Sequence, residues 1–205
     1  MRIVKVLTRL GILSAALALA ACADFRTSYS APVPAEQSAG WRLAGVSVTV
    51  PETLSVSEAR TLLPNADIVW REDPPGDRRA QVATILTDAT RQGAAGLKGG
   101  TPVRLELTVS RFHALTFEAE QRLQRAGVHD IEFVLRAVDA RTGRVLAGPD
   151  MIEASLPALS GIKMLEARAR GASQKSHITA HVRRVIAGWL SLGPDPRVEF
   201  TRIGG

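Results

Sequence analysis

Apolar residues recur along this chain with two periods. A period of two, the spacing of a strand with one buried face, runs through Val46, Val48 and Val50 against Ser47 and Thr49, and Pro51 ends it. It is cleanest at residues 103–110, where Val103, Leu105, Leu107 and Val109 alternate with Arg104, Glu106, Thr108 and Ser110. It returns in Ile131, Phe133, Leu135 and Ala137. Residues 139–144, with Gly143 at the late turn position, predict a hairpin connection to a strand over 145–156. Gly148-Pro149 interrupts that strand and marks a bulge or an edge. The apolar run 68–70 predicts a small edge strand, and residues 198–201 a last short one.

The helical period appears twice. Val82, Ile85, Leu86 and Ala89, extended by Leu97, predict a helix over 78–98, with Asp77 as N-cap and Lys98-Gly99-Gly100 as its close. Gly93 and Gly96 weaken its end. Ile178, Val182, Val185, Ile186 and Trp189 form one apolar stripe of a helix over 174–192, between Ser173 and the stop Gly193-Pro194. Residues 51–66 have no clear period and read as loop. In 111–128, Phe112, Ala114 and Leu115 either continue the preceding strand past a bulge or leave it. The stretch from Glu118 to Ala126 holds helix formers with Leu123 as its only strong apolar anchor, so the segment reads as a mobile excursion. Residues 160–171 read as a basic, alanine-rich linker, partly helical. The order strand, helix, strand, hairpin, helix predicts an α/β (α+β) two-layer sandwich. Its sheet is mixed and mostly antiparallel, and the two amphipathic helices cover one face.

The N-terminus follows neither period. A basic start with Arg2, Lys5 and Arg9 precedes an apolar run from Leu10 to Leu19, and Ala20-Ala21-Cys22 follows. That is the n-region, h-region and small-residue cleavage site of a secretory signal over 1–21. The run falls short of the roughly 20 residues of a membrane span; an ordinary cleavage site with an incidental cysteine is the other alternative. Residues 22–40 are rich in Ser, Pro and Ala, lack a period, and read as a flexible tether. One domain over 41–192 and a tail over 193–205 complete the division. The signal holds three of the 26 basic residues and none of the 20 acidic ones, so the processed chain is +3 rather than +6. So small a charge gives no argument for a nucleic-acid partner.

No motif in the chain dictates a reaction. His177 and His181 stand four apart on a helix, a zinc-ligand spacing, but Ile178 occupies the place of a protease's general base and no third ligand is evident. They read as solvated histidines, and no metal or cofactor is expected. The glycines around Lys98 close a helix instead of opening one, so they are not a phosphate loop. No Gly-x-Ser-x-Gly elbow exists. A hydrolase would need a pocket gathering His113 or His129 with a carboxylate and a nucleophile, and no catalytic residue is assigned. Residues 160–184 are basic, with Lys163, Arg168, Arg170, Lys175, Arg183 and Arg184 against Glu166 alone. They form a candidate surface for anionic lipid or an acidic partner, or else a solvated face. Phe112 and Phe117 form a candidate partner patch if 111–128 projects, and core residues if it does not.

Leu19-Ala20-Ala21-Cys22 resembles the lipobox of bacterial lipoproteins. The resemblance implies cleavage before Cys22, acylation of its thiol and new amine, and a membrane partner through that lipid. It also implies a cell-envelope location. Because Ala23 rather than aspartate follows the cysteine, it favours the outer membrane, facing the periplasm, over the inner membrane. The chain further resembles a bacterial lipoprotein family of unknown function through residues 66–71 (Ala-Asp-Ile-Val-Trp-Arg), Gly76-Asp77-Arg78, Ala80-Gln81-Val82, residues 128–131 (Val-His-Asp-Ile) and Asp139 to Gly143. In layout it is similar to the auxiliary lipoproteins of ABC-type lipid transport and to the lipopolysaccharide-assembly lipoprotein. These resemblances imply a non-enzymatic accessory or binding component with an envelope protein partner.

Overall fold

The computed structural model describes residues 25–200 with the exception of residue 125; Cys22 and the signal segment lie outside the described residues. The chain opens with β1 (Phe25–Ser28), α1 (Ala35–Ala39), β2 (Trp41–Thr49), β3 (Ile68–Val69) and α2 (Arg78–Gly93). It continues through β4 (Thr101–His113), α3 (Phe117–Arg122), β5 (Val128–Asp139) and β6 (Val145–Ala154). Last come β7 (Leu156–Pro157), α4 (Gly161–Ala169), α5 (Gln174–Trp189) and β8 (Val198–Phe200).

The strands form one eight-stranded sheet of order β2-β4-β5-β6-β1-β8, with β3 also on β4 and β7 also on β5. β2 and β3 run parallel to β4 and every other pairing is antiparallel. This is the mixed, mostly antiparallel two-layer architecture that the periodicity predicts. Val103, Leu105, Leu107 and Val109 of β4 and Ile131, Phe133, Leu135 and Ala137 of β5 are all buried. They join Val82, Ile85 and Leu86 of α2 and Ile178, Val182, Val185 and Trp189 of α5 in one core. The alternate positions carry charge: Glu106 accepts from both Arg104 and Arg136, each at 2.7 Å. β6 shifts register against β5 between Leu135 and Ala137, beside the predicted Gly148-Pro149 irregularity.

Both long helices start at their expected caps. The Asp77 carboxylate accepts from Ala80 N at 3.1 Å, and Ser173 forms a capping box with Ser176. They end earlier than predicted, at Gly93 and Trp189. Gly93 has a packing reason: a Cβ there would stand 2.6 Å from Arg183 O and 2.7 Å from the Ile186 Cβ. The missing side chain lets α2 and α5 approach this closely.

Three expectations are corrected. Residues 25–40 are not a tether. β1 pairs with β6 and β8, Tyr29 and Val33 are buried in the core, and Val33 N donates to Trp189 O at 2.7 Å. Their apolar residues are too sparse to show a period, yet each meets a partner supplied by the far end of the chain. Residues 111–128 are not an excursion. β4 continues to His113 through a bulge between Val109 and Arg111, and α3 follows, capped by Thr116, whose hydroxyl accepts from Ala119 N at 3.0 Å. The linker at 160–171 is mostly α4. No helix among the described residues is long and apolar enough to cross a membrane.

Candidate functional site

A depression of about 690 Å³ lies between α5, the 155–159 segment, the β1–β8 edge and the turn at 193–196. Leu156, Leu159, Ala180, Ala187, Pro196 and Phe200 give it a largely apolar wall. Thr27, His177, His181 and Arg184 are among its polar groups. The helical spacing of four that suggested a metal pair places both histidines on this wall.

The direction of the hydrogen bonds settles what the polar groups can do. Thr27 Oγ1 donates its one proton to Ser155 O at 3.0 Å. Its 3.1 Å contact with His181 Nε2 is therefore an N–H donated by the ring to the hydroxyl. His181 Nδ1 is left as acceptor, facing an Arg184 N–H at 3.4 Å. A general base would present a lone pair to the hydroxyl; this imidazole presents a proton. His181 is buried, against the expectation of a solvated histidine. Burial, reinforced by Arg184, pushes its pKa down to about 4, so the ring is neutral at pH 7.

His129, missed as a groove neighbour by the sequence reading, sits fully buried on β5 opposite Leu156 of β7. Burial, helped by His177 and His181, lowers its pKa to about 3, and its Nδ1 has no hydrogen-bond partner. Its only sequence signal was its place at the start of a strand otherwise occupied by core residues. His113 lies apart, in a smaller pocket of about 240 Å³ with Phe25, Leu62, Leu63 and Asp130. There Arg111 approaches its Nδ1 at 3.2 Å, and no Ser, Thr, Cys or Lys lines the pocket. His113 thus shares its pocket with the Asp130 carboxylate, which accepts from the Ser155 hydroxyl at 2.9 Å. Among the described residues no three His, Cys, Asp or Glu side chains converge to hold a metal.

Two members of the basic set, Arg168 and Lys175, are ion-paired. Arg168 bridges two carboxylates, Glu120 at 2.9 and 3.0 Å and Glu72 at 2.9 Å. Lys175 pairs with Asp73 at 3.0 Å. Glu72 also accepts from Gln174 N and Lys175 N, at 3.0 and 2.6 Å, where the positive end of α5 favours an anion. These contacts fasten α3, α4 and α5 to the 70–73 segment. Lys163 and Arg170 are exposed on and after α4, and Arg183 and Arg184 are exposed on α5.

Arg168→Met should leave the Glu72 and Glu120 carboxylates, 12% and 10% exposed, without their cation. Because Arg168 is itself one-third exposed, the expected loss is discounted to about 2 kcal/mol. Urea unfolding checks it: adding Glu120→Gln to Arg168→Met should recover part of the loss. A double variant as unstable as the two single losses summed would refute the bridge.

Phe112 and Phe117 do not form a shared patch. Phe112 is fully buried, edge-on to Trp70 with ring centroids 5.8 Å apart, whereas Phe117 is 40% exposed. The bulge explains the correction. One extra residue moves the inward set from odd to even positions, so Phe112 takes the core side.

No curated protein matches this chain. Solved structures with a similar layout include the PelC dodecamer of Paraburkholderia phytofirmans, at 13% identity and TM-score 0.39, covering 83% of this chain and 99% of that one. A single-substitution variant of the same PelC gives 14% and 0.35, with 82% and 96% covered. A candidate lipoprotein of Caulobacter crescentus CB15 gives 14% and 0.33, with 77% and 94% covered. Residues 41–205 match the family of unknown function DUF6778, and the chain belongs to that family.

Proposed function

We propose that this DUF6778 protein is a lipid-anchored, non-enzymatic binding component of the bacterial cell envelope, facing the periplasm from the outer membrane. The observation that carries the non-enzymatic reading is the spent Thr27–His181 pair. The groove offers apolar wall and shape, but its hydroxyl proton is committed to a backbone carbonyl and its imidazole is a donor. Such a site suits an apolar partner segment or ligand held without turnover. The envelope reading rests on the basic start, the apolar run and Leu19-Ala20-Ala21-Cys22. Binding of anionic lipid through residues 160–184 is less favoured, since Arg168 and Lys175 already face carboxylates.

Three acyl chains hold a protein far more firmly than one reversible chain. Wild-type protein is expected in the membrane fraction with acyl label on its N-terminal peptide. Cys22→Ser is expected in the soluble periplasm or as unprocessed precursor. A wild type that is soluble, or that never takes label, would end the anchor reading. Hydrolytic turnover by the purified protein that vanishes in a folded His181→Gln variant would end the non-enzymatic one.

A further inference from the structure

One end of the sheet carries features that the groove does not use. β1 begins at Phe25, three residues after Cys22. Three residues of extended chain reach at most ~11 Å. A bilayer exceeds its hydrocarbon core by roughly 5–8 Å on each side, so even full extension of three residues would leave little beyond the headgroup layer. With a lipid on Cys22, the end of the sheet that holds Phe25 cannot stand away from the membrane.

That end is also where exposed apolar side chains collect. Leu62 is 39% and Leu63 74% exposed, and both line the smaller pocket together with Phe25. Phe117 on α3 is 40% exposed, and Ile162 and Leu165 on α4 are 66% and 67% exposed. α3 joins the end of β4 to the start of β5, and Ser160, just before α4, donates to Ala126 O at 2.9 Å. Thus five of the eight large exposed hydrophobics among the described residues belong to connections at this end. Arg60, two residues before Leu62, and Arg122, on the same helix as Phe117, are exposed as well. The opposite end, at the β5–β6 hairpin, presents Arg141, Thr142 and Arg144 to solvent.

We propose that the Phe25 end of the sheet is a membrane-docking surface. Leu62 and Leu63 enter the headgroup–acyl boundary of the leaflet that holds Cys22. Arg60 and Arg122 face its anionic headgroups. The inference rests on the lipid-anchor reading above and adds an orientation to it: the domain stands with its sheet end on the bilayer and its hairpin end, about 35 Å away along β5, in the periplasm.

The test uses the full-length acylated protein in vesicles of phosphatidylethanolamine and phosphatidylglycerol. Acylated Cys22 does not react with maleimide, so Leu63→Cys and Thr142→Cys can each carry one environment-sensitive fluorophore. Both positions are exposed, so neither substitution strains the fold. The probe at 63 is expected to shift to the blue and to be quenched roughly threefold or more by nitroxide-labelled lipid. The probe at 142 is expected to stay aqueous. Equal, weak quenching at both positions would overturn the proposal, as would efficient disulfide formation between two copies through position 63, which would put a second copy on this face. Mass analysis of the N-terminal peptide separates the two failures. An unacylated Cys22 overturns the anchor reading and this one with it. An acylated protein with an aqueous probe at 63 overturns this one alone.

Discussion

Val185→Asp is expected to leave the domain about 4 kcal/mol less stable. Val185 is fully buried on α5, in the core shared with α2 and the sheet. An aspartate there meets apolar side chains, so it must either ionise without a partner or stay protonated at neutral pH. Both cost far more than lost packing. Val185→Ala removes the packing without the charge and should cost about 2 kcal/mol. Urea unfolding can be followed through Trp70 and Trp189, both buried. The midpoints should fall in the order wild type, alanine, aspartate, and the gap between the two variants should narrow on acidification as the new carboxyl protonates. Equal midpoints for the two variants would mean that Val185 is not enclosed.

The second large effect is acid lability. His129 and His181 have pKa values of about 3 and about 4 in the folded protein, below the ordinary histidine value of 6.5, chiefly through burial. Below that ordinary value the unfolded chain binds protons that the folded chain refuses. Stability is therefore intact above about pH 6.5 and drains away as pH falls towards the folded values. At about 1.4 kcal/mol per unit, each histidine should remove on the order of 2 kcal/mol by about pH 4.5. The paired carboxylates Glu58, Asp73 and Glu106 have lowered pKa values and begin to contribute only at lower pH. His113, whose pKa burial also lowers, adds to the fall in the same window, and His129→Leu should remove a substantial part of the fall in urea midpoint between about pH 7 and about pH 4.5. An unchanged pH profile in that variant would show that His129 accepts a proton where it sits.

The centre of the fold was legible because β4, β5, α2 and α5 each bury a full face, and a full face writes its period into the sequence. The edges were not. Phe25, Tyr29 and Val33 are separated by polar residues, and what orders them is backbone pairing with residues more than a hundred positions away. Phe112 was left open between core and patch for a local reason: a bulge after Val109 reverses inward and outward, and the sequence offered it only as one alternative. At the groove, the spacing of His177 and His181 was visible, but their chemistry depended on Thr27 and on a proton donated to Ser155 O. The sequence had assigned Thr27 to a tether. The pairing of Arg168 and Lys175 was invisible because their counter-charges, Glu72, Asp73 and Glu120, come from distant segments.

The pairing of β1 with β8 joins Phe25 to Phe200, almost the whole length of the described chain. β4, β5 and β6 follow one another and assemble from contiguous sequence, whereas β1 must wait for β6 on one side and for the last strand on the other. Loop closure over such a separation carries an entropy cost before any contact repays it. A chain synthesised N-terminus first therefore carries its leading strand unpaired while β2 to β5 are made. β1 gains its first neighbour only with β6 and its second only with β8. The oldest strand of the sheet is thus among the last to be locked in, so loss of residues 198–200 would uncover the edge that β1 then presents.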